Sequence, residues 1–254
     1  MFKRTIKTMT AVIAASALCF TAVAPANVTY AKEKTVKVTY SIANGNKWLL
    51  EPTTITVSAD LDDKYAEFLQ YTDDSTEPTM LDATLAAHIA IFGEGDPGFA
   101  ASPSEYGGGY MTRVCMTQTS SVGYYINDSQ VGDDGVYYGL DTLLNKNDEI
   151  RLYFYTDLVL FSDTYVFFDK TNIKGKKGTE QSLTAYYYAF DADFNSIKTP
   201  AAGLTVTYNG KKVGTTDENG QVSFKIKKKG IVSAKGTVND AQIVKPYCVV
   251  KKKG

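Results

Sequence analysis

From residue 36 onward apolar side chains recur mainly at every second position, a period that pleated backbone alone turns into one buried face. Val36, Val38, Tyr40 and Ile42 alternate with Lys37, Thr39 and Ser41, and Ile55, Val57 and Ala59 repeat the pattern. Strand signals resume at Met111–Met116, Val122–Asn127 and Val136–Leu140. After the polar turn Asn145-Lys146-Asn147-Asp148, Ile150, Leu152 and Phe154 alternate with Arg151, Tyr153 and Tyr155. One segment breaks the period. Thr76-Glu77-Pro78 supplies a cap and a first-turn proline, Gly93 a stop, and Leu81, Leu85, Ile89 and Phe92 one stripe, which predicts a helix capped by Thr76. The only histidine, His88, lies beside that stripe and, with no Ser or Cys nucleophile motif to serve, reads as a structural helix residue. Gly93–Gly109 is rich in Gly, Pro and Ser and reads as loop. The expected unit, residues 35–160, is α+β with one helix against a sheet.

The remainder, residues 163–254, is strand signal throughout. Tyr165–Phe168, Ser182–Phe190, Leu204–Tyr208, the alternating Val222, Phe224 and Ile226, Ile231–Ala234 and Ile243–Val250 are separated by turn residues. Asn209-Gly210 is a tight-hairpin signal and Glu218-Asn219-Gly220 a second break. About seven strands in roughly 90 residues is the spacing of an immunoglobulin-type β-sandwich. The expected class is therefore mainly β.

The first 31 residues read as an export signal: Lys3, Arg4 and Lys7, then the apolar Ala11–Val23, then small residues that allow cleavage after Ala26 or, preferred, after Ala31. Leu18 before Cys19 is too large for a lipidation site. No apolar run is long enough for a membrane span, and the tail Val249–Gly254 carries neither a hydrophobic anchor nor a sorting motif. A released or noncovalently held extracellular protein is expected. It keeps Cys115 and Cys248, read as two buried free thiols in preference to a bridge.

Charge divides the chain. Residues 32–162 carry a net −12 and residues 163–254 a net +8, an asymmetry that points to two units facing different partners. The acidic first part opposes nucleic-acid binding. Lys174, Lys176, Lys177 and Lys227–Lys229 would hold the basic part to anionic cell-wall polymers.

Two resemblances fit this division. Val122-Gly-Tyr-Tyr-Ile-Asn-Asp128, Tyr137-Tyr-Gly-Leu140 and Leu144-Asn-Lys-Asn-Asp-Glu-Ile-Arg-Leu-Tyr-Phe-Tyr155, preceded by the helix Thr79–Phe92, resemble the bacterial transcobalamin C-terminal-like domain over residues 35–157. Tyr124 stands where that family usually has Trp, and Asn147 where it has the turn Gly. The resemblance implies a corrinoid ligand. In transcobalamin-type proteins a helical domain completes the site, and this chain has none. The turn Thr215-Thr216-Asp217-Glu218-Asn219-Gly220 is similar to one in bacterial immunoglobulin-like surface modules, which serve as spacers or display platforms. The isopeptide signature of some such modules is absent.

Catalysis has little support, with one His and no nucleophile elbow. A carboxylate-based glycosidase is the remaining enzymatic alternative. Asp60, Asp62 and Asp63, Asp133-Asp134, and Asp191, Asp193 and Asn195 offer oxygen ligands, but read as solvated turns; no metal site and no particular cofactor is predicted. The aromatic feature is stronger. Tyr106, Tyr110, Tyr124, Tyr125, Asn127, Tyr137 and Tyr138 gather among nine glycines between Gly95 and Gly139. Tyr offers a flat body for stacking and a hydroxyl for an edge contact. Neighbouring tyrosines on a regular strand must face opposite ways. The leading expectation is a secreted, non-enzymatic binding protein for a corrinoid or similar small ligand. The alternative is a structural or adhesive surface protein meeting host glycan or protein.

Overall fold

The alternation beginning at Val36 is realised as a long antiparallel hairpin of β1 (Thr35–Asn44) and β2 (Lys47–Ser58). The computed structural model describes residues 34–132, 135–191 and 196–253, so the expected export signal, Asp133-Asp134, Asp193 and Asn195 lie outside the described residues. After the short α1 (Leu61–Lys64) and a 3-10 turn comes α2 (Met80–Phe92). A small sheet follows, of β3 (Ala100–Pro103), β4 (Gly109–Val114) and β5 (Thr117–Gln118). The chain then returns through β6 (Val122–Ile126) and β7 (Glu149–Phe154) to give the first sheet the order β2-β1-β7-β6, with β7 parallel to β1. The helix covers one face of that sheet. Tyr40, Ile42, Val57, Leu81, Leu85, Ile150 and Leu152 bury themselves between them, and the Tyr40 hydroxyl meets Thr84 Oγ1 at 2.9 Å.

The helix is capped by Thr79, three residues beyond the expected Thr76. Asp82 N donates to Thr79 Oγ1 at 3.2 Å and Thr79 N donates to Asp82 Oδ2 at 3.0 Å. A capping box needs an acceptor three residues after the cap; Thr79 has Asp82 there, whereas Thr76 has only Thr79. The expected strand at Val136–Leu140 is instead loop, with one isolated bridge, Val131 to Tyr137. Its polar groups are taken locally: Gly139 N donates to Thr142 Oγ1 at 2.8 Å, and Leu140 O accepts from Leu81 N at 2.7 Å.

The second half contains β8 (Thr164–Phe168), β9 (Asn172–Gly175), β10 (Glu180–Phe190), β11 (Ser196–Pro200), β12 (Thr205–Tyr208), β13 (Lys211–Thr215), β14 (Gln221–Lys225), β15 (Gly230–Lys235), β16 (Thr237–Val238), β17 (Ala241–Val244) and β18 (Tyr247–Lys252). One sheet runs β11-β10-β8-β17-β16, with β14 also on β10, and the other β13-β12-β15-β18-β9. Val166, Phe168, Leu183, Val206, Phe224 and Val232 are buried in the core of this immunoglobulin-like sandwich. Asn209 and Gly210, at φ 49° and 76°, close the β12–β13 hairpin as expected. The segment Ile243–Val250 is two strands, not one. Pro246 has no N–H for a ladder, so β17 pairs with β8 in one sheet while β18 pairs with β15 and β9 in the other.

The two halves meet through an aromatic layer. Along β7, Ile150, Leu152 and Phe154 face the α/β core, while Arg151 and Tyr153 face the second half, and all five are buried. Likewise on β8, Val166 and Phe168 enter the sandwich core while Tyr165 and Phe167 face the first half. Tyr125 of β6 stacks on Tyr165 with ring centroids 3.5 Å apart and planes 13° from parallel. Behind that stack Arg151 is 2% exposed. Its guanidinium lies 4.5 Å from the centroid of Tyr247 and 5.6 Å from that of Tyr165, with Nη2 3.1 Å from Asp128 Oδ1 and 3.9 Å from Glu149 Oε2. The Tyr165 hydroxyl donates to Asp128 at 2.6 Å and that of Tyr247 to Glu149 at 3.2 Å. Burial works against the cation, but the rings of Tyr165 and Tyr247 and the carboxylates of Asp128 and Glu149 outweigh it and keep Arg151 protonated.

Replacing Arg151 with Ala leaves Asp128 and Glu149 at a partly buried site without their cation. The expected cost is about 3–5 kcal/mol of unfolding free energy, read from urea denaturation. Arg151→Lys should recover only part of it, because an ammonium cannot lie flat between two rings. An Arg151→Ala protein with an unchanged midpoint would show that the rings alone hold the junction.

Candidate functional site

The segment after the β6 turn is tied to the start of α2. Met80 N donates to Thr142 O at 2.9 Å, Leu81 N to Leu140 O at 2.7 Å, and Leu144 N to Pro78 O at 3.0 Å. Leu140 is buried beneath, and the Tyr124 hydroxyl donates to Tyr138 O at 2.6 Å from the core side. Residues 138–144 are thus a braced loop, with the first helical N–H groups already used.

Two hollows flank this loop, each of about 480 Å³, and they share Gly132, Tyr138, Thr142 and Leu143. The first has an apolar rim of Val136, Tyr137 and Leu143, exposed by 62%, 75% and 57%, and contains Asp141. The second is polar, lined among others by Asn127, Ser129, Asn145 and Asp148. Asp141 sits between two glycines: a Cβ on Gly139 would meet its Oδ1 at 2.5 Å, and one on Gly108 its Oδ2 at 3.7 Å. Among the described residues its carboxylate takes no hydrogen bond or ion pair. Nearby, outside both linings, Tyr71 lays its ring on Gly109, where a Cβ would lie 2.2 Å from Cδ1. Burial, reinforced by the charge of Asp141, pushes the Tyr71 hydroxyl upward and that of Tyr124 to about 12, so both stay protonated donors at neutral pH.

The tyrosines singled out in the sequence separate into three places. Tyr137 and Tyr138 line the Asp141 hollow and Tyr124 supports it from beneath. Asn127, at φ 52°, is a connector: it donates to Asp148 Oδ1 at 2.8 Å and accepts from Glu149 N at 2.9 Å, while lining the polar hollow. Tyr106, 97% exposed, and Tyr110, 48% exposed, lie on the β3–β4 hairpin whose Gly108 approaches Asp141. Tyr125 points the other way and is part of the junction. Asp141 and Tyr71 were not anticipated. The signal for Asp141 was a lone acid directly after Tyr137-Tyr138-Gly139-Leu140; Tyr71 had none.

Other chemistry is accounted for within the fold. His88 is buried; its Nδ1 meets Thr84 O at 2.7 Å while Nε2 accepts from Cys115 N at 3.1 Å, which defines a neutral ring. Burial lowers its pKa to about 4 and raises that of Cys115, whose Sγ is 3.7 Å from Nε2, to about 11. A neutral imidazole beside a protonated thiol is not an activated nucleophile. Cys115 and Cys248 are both free thiols. Asp62 and Asp82 serve the entry to α2. Asp82 Oδ1 accepts from Leu61 N and Asp62 N, and Asp62 Oδ2 accepts from Asp73 N. Among the described residues no three His, Cys, Asp or Glu side chains are grouped to hold a metal, and no helix is long and apolar enough to cross a membrane.

No family model matches this chain, and no curated protein matches it. Among solved structures it is similar to the N-terminal four immunoglobulin domains of Dscam1. Isoform 1.9 matches at a TM-score of 0.26 and 15% identity over 42% of this chain and 24% of that one; isoform 4.44 matches at 0.26 and 10% identity over 88% and 47%. The chain spans less than half the length of either structure.

Neutral His88 makes a pH prediction. Its ordinary pKa is 6.5 and its folded value about 4, so the folded state binds fewer protons between them. The stability it contributes is complete above about pH 6.5 and is lost as pH falls toward 4, about 2 kcal/mol of it by pH 5. Asp82, raised to about 6 by burial, contributes with the opposite sign over part of this window. His88→Gln should therefore flatten or invert the loss of unfolding free energy between pH 7.5 and 5, measured by urea titration. An unchanged slope would place the acid sensitivity elsewhere.

Proposed function

We propose that this chain is a non-catalytic, extracellular binding protein whose first half presents a ligand groove around Asp141 and whose basic second half positions it. The ligand class that fits best is a polyhydroxylated ring such as a sugar. The observation that carries this reading is the pair of hollows sharing Tyr138 and Thr142. One offers the exposed ring of Tyr137 beside the Asp141 carboxylate, which has no partner among the described residues, the other a lining of amides, hydroxyls and carboxylate. A sugar presents the same two aspects: C–H faces that stack on an aromatic ring, and hydroxyl edges that donate to Asp141 and exchange hydrogen bonds with Asn127, Ser129 and Asn145. Volumes near 480 Å³ lie within the range of small-molecule sites. The bracing of residues 138–144 by α2 supports a preformed groove, which lowers the ordering cost of binding.

The test is a glycan array followed by calorimetric titration of the full chain, with cobalamin and a precursor corrinoid as further probes. Tyr137→Ala and Asp141→Asn should each weaken glycan binding about tenfold or more, the worth of one stacking contact or one charged hydrogen bond, with thermal stability unchanged. Retained visible colour after desalting would turn the assignment to a corrinoid. Failure of every glycan and corrinoid to bind at millimolar concentration would overturn the groove as a small-ligand site.

A further inference from the structure

A second cleft, of about 310 Å³, lies where the two halves face each other across β1, β2, β9 and β18. Its lining brings together Lys37 from the acidic half and Lys174 and Lys251 from the basic half, with Asn147 and Asn172 between them. All three lysines are exposed. The carboxylate in the cleft, Glu149, is already engaged by the Tyr247 hydroxyl and lies 3.9 Å from Arg151, so its charge is compensated from behind. The cleft is thus a concave, cationic, hydroxyl- and amide-lined site, a setting that attracts anions.

It also has a direction. Strands β9 and β18 are parallel neighbours, with Lys174 paired to Lys251 and Gly175 to Lys252, and Lys253 N continues the ladder to Gly175 O at 2.9 Å. Lys174 and Lys251 therefore stand side by side on neighbouring strands, and Lys176 and Lys253 follow just past the ends of β9 and β18. Beyond them, Gly178 N donates to Ile226 O at 2.7 Å and Ile226 N to Thr179 O at 2.9 Å, which seats Lys225 and Lys227 alongside Lys177. Glu180, opposite Lys225 on β10, is the acid on this path. A run of cations continuing past the ends of two paired strands suits a linear chain of anions better than one isolated ion.

We infer that this cleft and the lysines leading from it bind a linear, phosphate-bearing polymer, threaded between the halves past Lys37, Lys174 and Lys251. The inference rests on the reading of the protein as a binding module and adds a second ligand at a separate place. A base-free polymer is favoured over nucleic acid, because the one ring in the cleft, Tyr247, is fully buried and offers no face for a base to stack on.

The experiment uses the full chain and inorganic polyphosphate as probe, with single-stranded DNA and a carboxylated polysaccharide as comparison arms, over a series of salt concentrations. Lys37→Gln with Lys251→Gln should weaken polyphosphate binding about tenfold or more at low salt and reduce the salt slope by about two. Lys228→Gln with Lys229→Gln, outside the cleft, should cost much less. Protection of Lys37, Lys174 and Lys251 from acetylation by bound polyphosphate, read by mass spectrometry, checks the site without any substitution. Binding that is insensitive to Lys37 and Lys251, with no protection of either, would overturn the cleft while leaving a diffuse lysine surface. DNA bound more tightly than polyphosphate would overturn the choice of polymer. Neither result bears on glycan binding, which Asp141→Asn and Tyr137→Ala should weaken while polyphosphate binding stays unchanged.

Discussion

A guanidinium almost wholly buried between protein groups is the constraint on which the arrangement of this protein depends. Arg151 projects from the middle of β7 into a layer that both halves must build. The first half provides the charge partners, Asp128 and Glu149. The second provides the two ring faces and, through the hydroxyls of Tyr165 and Tyr247, the hydrogen bonds that orient those carboxylates. Neither half completes the set alone. A buried ion pair gives weak net stabilisation but penalises misalignment heavily, since a shifted partner leaves an uncompensated charge. Arg151 therefore acts mainly as a register device, and the Tyr125–Tyr165 stack supplies dispersion and area around it. The connecting turn is braced to match: Asp163 accepts from Thr156 N and Asp157 N, while Asp157 accepts from Val159 N and Leu160 N.

Much of this fold was legible in a period of two, and what escaped did so for local reasons. Alternation located β1, β7 and β14, and runs of β-branched and aromatic residues located β8, β10, β12 and β15. It could not locate β9, β11 and β13, which are short and largely polar. It fused β17 with β18 because a single proline changes the sheet without changing the hydrophobic pattern. At Val136–Leu140 the residues suit a strand, but glycines and the helix N-terminus redirect the backbone. The burial of both faces of β7 and β8 did leave a trace. Beside Arg151, the residues between the core positions are Tyr153, Tyr165 and Phe167, aromatic where a solvated face would be mostly polar.

The candidate groove was legible in type and only partly in place. That adjacent tyrosines must diverge on a strand sends Tyr124 to support the groove and Tyr125 to the junction. Tyr137 and Tyr138 escape that rule because their segment is loop, so both line the same hollow. Asp141 was hidden among the many acids of the first half. What distinguishes it is context: Gly139 and Gly108 leave room beside its carboxylate, and no donor among the described residues fills that room. A linear sequence records the glycine at 139 but not the approach of the hairpin carrying Gly108.

The charge division acquires a physical role once the two proposed sites are considered together. The cleft is cationic because it gathers Lys37 of β1 with Lys174 and Lys251, which are paired across β9 and β18, whereas the groove lies in a half whose net charge is −12. A polyanion approaching from solution meets attraction at one surface and repulsion at the other. At physiological salt these fields decay over about 8 Å, so they act on the final approach and set orientation more than long-range capture. The two sites adjoin one turn, with Asn145 and Asp148 lining the polar hollow and Asn147 and Glu149 the cleft. The contacts that neutralise Arg151 also fix Glu149 and Tyr247 in the floor of the cleft, and Asn127, which bonds Glu149 N, lines the groove on the other side of β7.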